Sequence, residues 1–443
     1  MNFAIDLSDP SRLDSGVATP ILTVDSTTVG QRIIDLEPIQ WDLSMKHSPQ
    51  AEDLFLLSAA VYCADRLCSR ISSPDGWCRD MGVSLPVADT EVWNTVRPLA
   101  ERTLGFLSGD HWSLSFRRVE KAHGLSRLGT QLNLRRIWGN VDAVSLLSGG
   151  LDSLVGVINW LEENPNGRIA LVGHYDRAFG GPKIEQHRIY NLLCQKYGAR
   201  RVQLLETRIG LKGPACENTL RSRSLLFLSM GMLIASSIGP SIPLIVPENG
   251  TMSINVPLTP ARRGTCSTRT TNPYFLVQFE SWCHHLGIVN PILNPLALKT
   301  KGECLRDCLD KDLLSECSYW SVSCGKRGTR PYWQSRGAPQ CGVCVPCTYR
   351  RAAMFMNHIP ERGYGIDPDP DRLKAQLSAT MGDDLRSFIY CLDHIRTRED
   401  ATREIMLAYT IDPEMLDAYA DLEIRALAEV RAWFQHMGII PGT

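Results

Sequence analysis

The sequence predicts an α/β protein built on a parallel, doubly wound sheet, with an α+β N-terminal accessory domain before it and a helical C-terminal region after it. Three observations predict this class. Apolar, β-favouring runs at 143–147, 169–172, 202–205 and 244–246 alternate with helical periodicity at 154–163, 184–197 and 220–237, the pattern of βαβ units. The first of those runs enters its helix through Ser148-Gly149-Gly150-Leu151-Asp152-Ser153, a strand-loop-helix junction. The flanking segments lack this alternation, so residues 1–140, 141–362 and 363–443 divide as accessory domain, central domain and helical region.

Within the first 140 residues, 21–24 and 31–36 read as strands about a Thr-Thr-Val-Gly turn. An apolar helix at 51–69 follows Ser48-Pro49, strands follow at 83–87 and 112–118, and a helix lies near 90–104. The final part carries a cysteine-rich segment, a Pro/Asp/Gly linker at 363–370, and amphipathic helices at 385–396, 401–409 and 415–437.

With 44% hydrophobic and 21% charged residues, wholesale disorder is excluded for these 443 residues. A net charge of -1 excludes a broadly basic nucleic-acid binder and leaves only local basic patches, so direct nucleic-acid binding is not favoured. The N-terminal segment carries acids and no basic run ahead of an apolar core, unlike a secretory signal. The most apolar stretch, 225–238, is too short and too interrupted by serines and glycine to span a bilayer. The expectation is a soluble, cytoplasmic chain without a membrane partner. Fifteen cysteines, an odd number, fit reduced thiols and a metal site better than a disulfide framework.

The Ser-Gly-Gly loop fits a phosphate. Glycines let backbone approach a ligand, the first helical N–H groups are unpaired donors, the helix dipole favours an anion, and Ser148 and Ser153 add hydroxyls. No Lys-Ser/Thr pair closes the loop, so it is not a Walker-type P-loop. Asp152 either orients Mg²⁺ or a loop N–H beside the phosphates, or simply caps the helix. Ligands of parallel sheets bind outside the carboxyl ends of the strands, which brings in His174, Tyr175 and Asp176 after the second strand and Glu248 and Asn249 after the fourth.

Cys341-Gly-Val-Cys344-Val-Pro-Cys347, with Cys324 seventeen residues upstream, supplies four thiolates for tetrahedral Zn²⁺. An iron-sulfur cluster competes, but the further downstream cysteine of such motifs is missing. Cys317 is a fallback ligand, and Cys304 and Cys308 read as helix-face residues. Lys301 stands at a helix start, where a cation opposes the dipole and so points to a polyphosphate or else to plain solvation. Arg221 and Arg223 pose the same choice at the helix that begins Arg223-Ser-Leu-Leu-Phe-Leu-Ser. Residues 325–337 hold Lys326, Arg327, Arg330 and Arg336 with Tyr332 and Trp333 and no acid, a surface for a phosphate-bearing or macromolecular partner or a solvated loop. The pair His284-His285 has no ligand partners at metal spacing.

These residues resemble a known family. Ser148 to Ser153 is similar to the PP-loop of the adenine nucleotide α-hydrolase-like ATP pyrophosphatases, and the chain looks like the 7-cyano-7-deazaguanine synthases (QueC) among them. The likeness rests on that loop, the Arg223-led helix, Thr300-Lys301-Gly302-Glu303 and the four cysteines, in that order, over 141–356. It implies ATP held by Ser148, Gly149, Gly150, Leu151, Asp152, Ser153, Arg223 and Lys301, with Asp152 and Lys301 catalytic, Mg²⁺ accompanying the nucleotide, and structural Zn²⁺ on Cys324, Cys341, Cys344 and Cys347. The implied chemistry adenylates the carboxylate of 7-carboxy-7-deazaguanine with release of pyrophosphate, and the acyl group then passes to an amine. The N-terminal addition, the enlarged basic cysteine loop and His174-Tyr175-Asp176-Arg177 depart from that family. They resemble its enlarged antiphage-defence branch (QatC and the QueC-like component of type IV CBASS), which implies a protein amine, an N-terminus, as acceptor. Alternatives are an ammonia-using preQ0 synthase, a tRNA-modifying PP-loop enzyme and a non-catalytic binding scaffold.

Overall fold

The computed structural model describes residues 1–7, 20–24, 32–36, 48–119, 141–176, 182–211, 215–217, 219–265, 269–361, 363–366 and 382–441. The Thr-Thr-Val-Gly turn, Arg177 and the second half of the 363–370 linker lie outside these residues. The N-terminal part supplies β1 (Asn2–Leu7), β2 (Pro20–Val24), β3 (Arg32–Leu36), α1 (Pro49–Leu67), β4 (Asp80–Val87), α2 (Thr90–Ser108) and β5 (His111–Arg118). Pro49 stands at the first turn of α1, where its missing N–H costs nothing. Asp89 caps α2 by accepting from the N–H groups of Glu91 and Val92.

The central part follows with β6 (Ala143–Leu146), α3 (Leu151–Glu163), β7 (Ile169–Tyr175), α4 (Lys183–Tyr197), β8 (Val202–Leu211), α5 (Arg223–Ile238), β9 (Leu244–Ile245), α6 (Gly250–Ile254), α7 (Pro273–His285), β10 (Ile292–Leu293), α8 (Lys301–Arg306) and α9 (Lys311–Ser318). The end of the chain adds α10 (Val345–Met356), α11 (Asp383–His394), α12 (Arg398–Ala408) and α13 (Pro413–His436). None of the described helices is long and apolar enough to cross a membrane.

The ten strands found among the described residues lie in one sheet of order β10-β9-β6-β7-β8-β3-β2-β1-β4-β5. The five central strands pair in parallel. From β6 the chain winds outward to β7 and β8, then returns to the other side of β6 for β9 and β10. The winding therefore reverses between β6 and β9, the place where open α/β sheets leave a crevice beyond their carboxyl ends. Helices cover both faces. Ala143, Ile169 and Leu171 pack with Val155 and Ile158 of α3 and Ile189 of α4, whereas the alternate residues Val144, Leu146, Ala170 and Val172 pack with α1 and α5.

The accessory strands join this same sheet. The sequence run at 202–205 extends in the structure to Leu211, and residues 209–211 pair antiparallel with β3, Ile34 opposite Leu211. The alternation of buried and half-buried positions along β8 explains why its apolar run reads as shorter than the strand. β1 has no counterpart in the sequence reading and pairs with both β2 and β4. A second core joins α10 to α13 with Cys341, Cys344 and Cys347.

Candidate phosphate site and four-cysteine centre

β6 delivers Ser148 to the crevice. Gly149 takes φ +84°, and a Cβ there would stand 3.3 Å from side-chain carbons of Glu185 and Pro182, so the turn demands glycine. Gly150 then caps α3. The Ser148 and Ser153 hydroxyls lie 3.1 Å apart, Gly150 N–H donates to Ser148 Oγ at 3.3 Å, and Ser153 Oγ donates to the Gly150 carbonyl at 3.1 Å. In this arrangement the two hydroxyls and the first N–H groups of a thirteen-residue helix face one another at the end of a strand, as a phosphate cradle requires.

Behind the loop, Asp152 Oδ2 accepts from Lys301 Nζ at 2.5 Å and from Asn249 Nδ2 at 3.1 Å. Thr300 and Glu303 form a capping box that fixes α8 and with it Lys301. Burial opposes the charge on Asp152, but Lys301 and the hydrogen bonds from Glu248, Lys301 and Asn249 outweigh it and hold its carboxyl below the ordinary value. Burial and the charge of Asp152 push the neighbouring Glu248 well above its ordinary value.

A cavity of about 470 Å³ opens beside the loop, a size suited to a nucleotide. Ser148, Ser153 and Glu248 line it, with Arg221, Arg223 and Arg269 opposite and an apolar wall that includes Phe227 and Val246. Arg223, half-buried, donates from Nε to His174 Nδ1 and from one Nη to the His174 carbonyl, both at 3.3 Å. It forms no ion pair among the described residues, and burial lowers its pKa. Asp152 and Lys301 do not line the cavity; they are 8% and 3% exposed and form its footing.

The other strand-end residues are placed differently. His174 is fully buried, its Nε2 donating to the Ile209 carbonyl at 3.0 Å and its Nδ1 facing Arg223. Burial and the Arg223 charge bring its pKa down to about 3, which keeps the ring neutral. The Tyr175 hydroxyl accepts from Lys183 Nζ at 3.1 Å, and Asn249 caps α6 by accepting from Met252 N–H. His174, Tyr175 and Asn249 therefore support the site from within, while Asp176 and Glu248 reach cavity walls.

The sequence reading missed the contribution of α1. Tyr62 donates to Asp176 Oδ2 at 3.0 Å, and Arg66 forms an ion pair with the same oxygen. Asp65 accepts from Ser222 at 2.7 Å and Thr219 at 3.4 Å, and the Arg66 carbonyl accepts from the N–H groups of Cys216 and Glu217 at 2.9 Å. α1 thus clamps the segment that carries Arg221 and Arg223. The only local signal is Asp, Tyr and Arg inside an otherwise apolar helix.

The sulfur atoms of Cys324, Cys341, Cys344 and Cys347 lie within 4.8 Å of one another, with Cys341 to Cys347 at 3.8 Å and Cys344 to Cys324 at 4.0 Å. Four sulfurs about 2.3 Å from one tetrahedral zinc stand about 3.8 Å apart. Backbone N–H groups support the sulfurs: those of Lys326 and Cys341 donate to Cys324 Sγ at 3.4 Å, and that of Cys344 to Cys341 Sγ at 3.3 Å. Cys347 sits in the first turn of α10, where the helix dipole favours a thiolate. The cluster fits a metal ion such as zinc. Cys317 lies instead in the apolar core with Cys304 and Cys308. The basic loop is largely spoken for: Lys326 pairs with Asp384 and Arg327 with Glu185, each at 2.7 Å, Arg330 donates to backbone carbonyls, and Trp333 is core.

No protein family, curated protein or solved structure matches the chain.

Proposed function

We propose that this chain is an ATP-dependent adenylating ligase of QueC-like type, which activates the carboxylate of 7-carboxy-7-deazaguanine and passes the acyl group to an amine of a partner protein, as in antiphage defence. The observation that carries this reading is the meeting of the Ser148–Ser153 loop with Arg223, which forms no ion pair among the described residues, on the wall of a nucleotide-sized cavity, at the reversal of sheet winding. A phosphate oxygen would replace the hydrogen bonds that Ser148 and Ser153 now make to each other. Arg223 would stabilise charge on the oxygens of the reacting phosphate, from a fixed position and in a partly desolvated wall.

In the first step a carboxylate oxygen bonds to the α-phosphorus while the α–β bridging bond breaks, its electron pair leaving with pyrophosphate. In the second the amine nitrogen bonds to the acyl carbon, AMP leaves with the electron pair of the acyl–oxygen bond, and the amine sheds a proton. Asp152 and Lys301 act as positioning residues that tie the first turn of α3 to α8. Mg²⁺, when bound, would supply charge neutralisation to the phosphates; Glu217 is a carboxyl group on the cavity wall that could meet it. Cys324, Cys341, Cys344 and Cys347 would hold a metal such as zinc, which would tie the Cys324 segment to α10 as a structural staple.

Incubating the full chain with ATP, Mg²⁺, 7-carboxy-7-deazaguanine and a candidate acceptor tests this. AMP and pyrophosphate in equal amounts are expected; ADP with phosphate, or no turnover with any acceptor, overturns it. Ammonia-dependent nitrile formation would make the enzyme a biosynthetic synthase, and sensitivity to RNase would make it a tRNA-modifying one.

A further inference from the structure

Ser148 and Arg223 face a second cavity as well. It also measures about 470 Å³ and is lined by Asp176, Val322, Ser323, Cys324 and Arg327. Ser148, Leu220 and Arg223 are common to both cavities and so form a partition between them. The two chambers differ in chemistry. The first has three arginines and an apolar wall that suits a nucleotide. The second has an acid, Asp176, set against the two cations Arg223 and Arg327, beside the cysteine centre.

Phosphoryl-group displacement needs the attacking and leaving oxygens roughly in line on opposite sides of phosphorus. A phosphate seated on a partition therefore calls for a nucleophile chamber on its far side. Arg223 feels the charge of Asp176 but forms no ion pair among the described residues and can meet a carboxylate arriving there, whereas Arg327 is already paired with Glu185. Asp176 can receive N–H groups of a heteroaromatic ring. Its carboxylate is set by the N-terminal region, through Tyr62 and Arg66 of α1. Tyr62 borders this cavity yet is fully buried, so it acts through Asp176 rather than by touching a ligand.

We propose, resting on the adenylating reading above, that the second cavity is the acyl-substrate chamber for a planar heteroaromatic carboxylic acid with ring N–H donors, and that α1 of the N-terminal region sets its specificity by holding Asp176. The carboxylate lies toward Arg223 and the ring N–H edge toward Asp176. α1 of the N-terminal region thereby helps to complete the active site.

Equilibrium binding of 7-carboxy-7-deazaguanine and of ATP, measured separately on the full-length chain, tests this with Asp176→Asn and the milder Tyr62→Phe, each checked by thermal melting. Asp176→Asn is expected to weaken the acid by about tenfold or more, the cost of a lost charge-assisted hydrogen bond, with ATP affinity changed less than about twofold. Tyr62→Phe is expected to raise KM for the acid several-fold at unchanged KM for ATP and a near-native melt. Equal effects on both ligands, or no effect on the acid in a wild type that makes AMP, overturn the chamber assignment and leave the adenylating reading standing. A wild type that neither binds the acid nor makes AMP overturns both.

Discussion

The cysteine centre and the phosphate loop are both short motifs, yet they enter the structure in different ways. The four sulfurs already stand at the spacing that one metal imposes, three of them from a single seven-residue stretch. The loop needs β6, α5, β9, α8 and α1 to become a site, and its buried charges are mostly answered by one another. A metal centre is recognised by what its ligands lack. A reaction site is recognised by the groups that line a cavity and can exchange their partners for a ligand, here Arg223 and the hydroxyls of Ser148 and Ser153.

The largest effect expected is on the metal side of that comparison. Full-length protein purified without added metal should carry about one zinc per chain, and Cys344→Ala or Cys347→Ala should lose it together with cooperative melting of the C-terminal core that those cysteines share. Metal analysis that finds iron and sulfide would replace zinc by a cluster; metal-free protein with an unchanged melt would remove the distinction altogether.

Next comes the buried pair under the loop. Lys301→Met leaves Asp152 charged and unpaired, at a cost of about 3–5 kcal/mol, and a second change to Asn at Asp152 should restore much of it. A denaturant titration of the single and double variants checks this; simple additivity would mean the pair is not coupled as its geometry requires. Arg223→Met should behave in the opposite sense. Removing a half-buried cation without an ionic partner should leave the midpoint equal or higher, while nucleotide binding falls by about a hundredfold.

The pH dependence of stability sharpens the contrast further. The folded-state pKa of His174 lies near 3, below the unfolded value, so between about pH 6.5 and 3 the unfolded chain holds a proton that the folded chain does not. Stability is then lost as pH falls, by about 2 kcal/mol from this group between pH 7 and 5. Chemical denaturation at those two pH values, wild type against His174→Asn, should show that difference disappear in the variant. The smallest effect should be Gly149→Ala, about 1–2 kcal/mol from the left-handed backbone alone, read as a shift in the denaturation midpoint.

What the sequence made legible follows the same divide. The Ser148–Ser153 junction, the parallel strands and the Cys-x2-Cys-x2-Cys run are local, and period and spacing reveal them. The pairing of β3 with β8 is not local: it merges the N-terminal strands into the central sheet through residues 209–211, which alternate in burial and carry no strong apolar run. Tyr62, Asp65 and Arg66 were hidden for a related reason. They lie in a helix buried on every side, where no polar face marks them out, and the partners through which they reach the site, Asp176 and Ser222, are over 100 residues away. Trp333 shows the reverse case, a residue that reads as part of a basic aromatic surface and is in fact core.

The central claim is that the Ser148 loop handles the α/β bond of ATP on behalf of a carboxylic acid. Exchange of labelled pyrophosphate into ATP, catalysed by the full chain with Mg²⁺ and 7-carboxy-7-deazaguanine, measures that step before any acceptor is needed. Label should enter ATP only when the acid is present and should be abolished by Arg223→Met. Exchange independent of the acid, or label that never enters ATP while ADP accumulates, would contradict the claim.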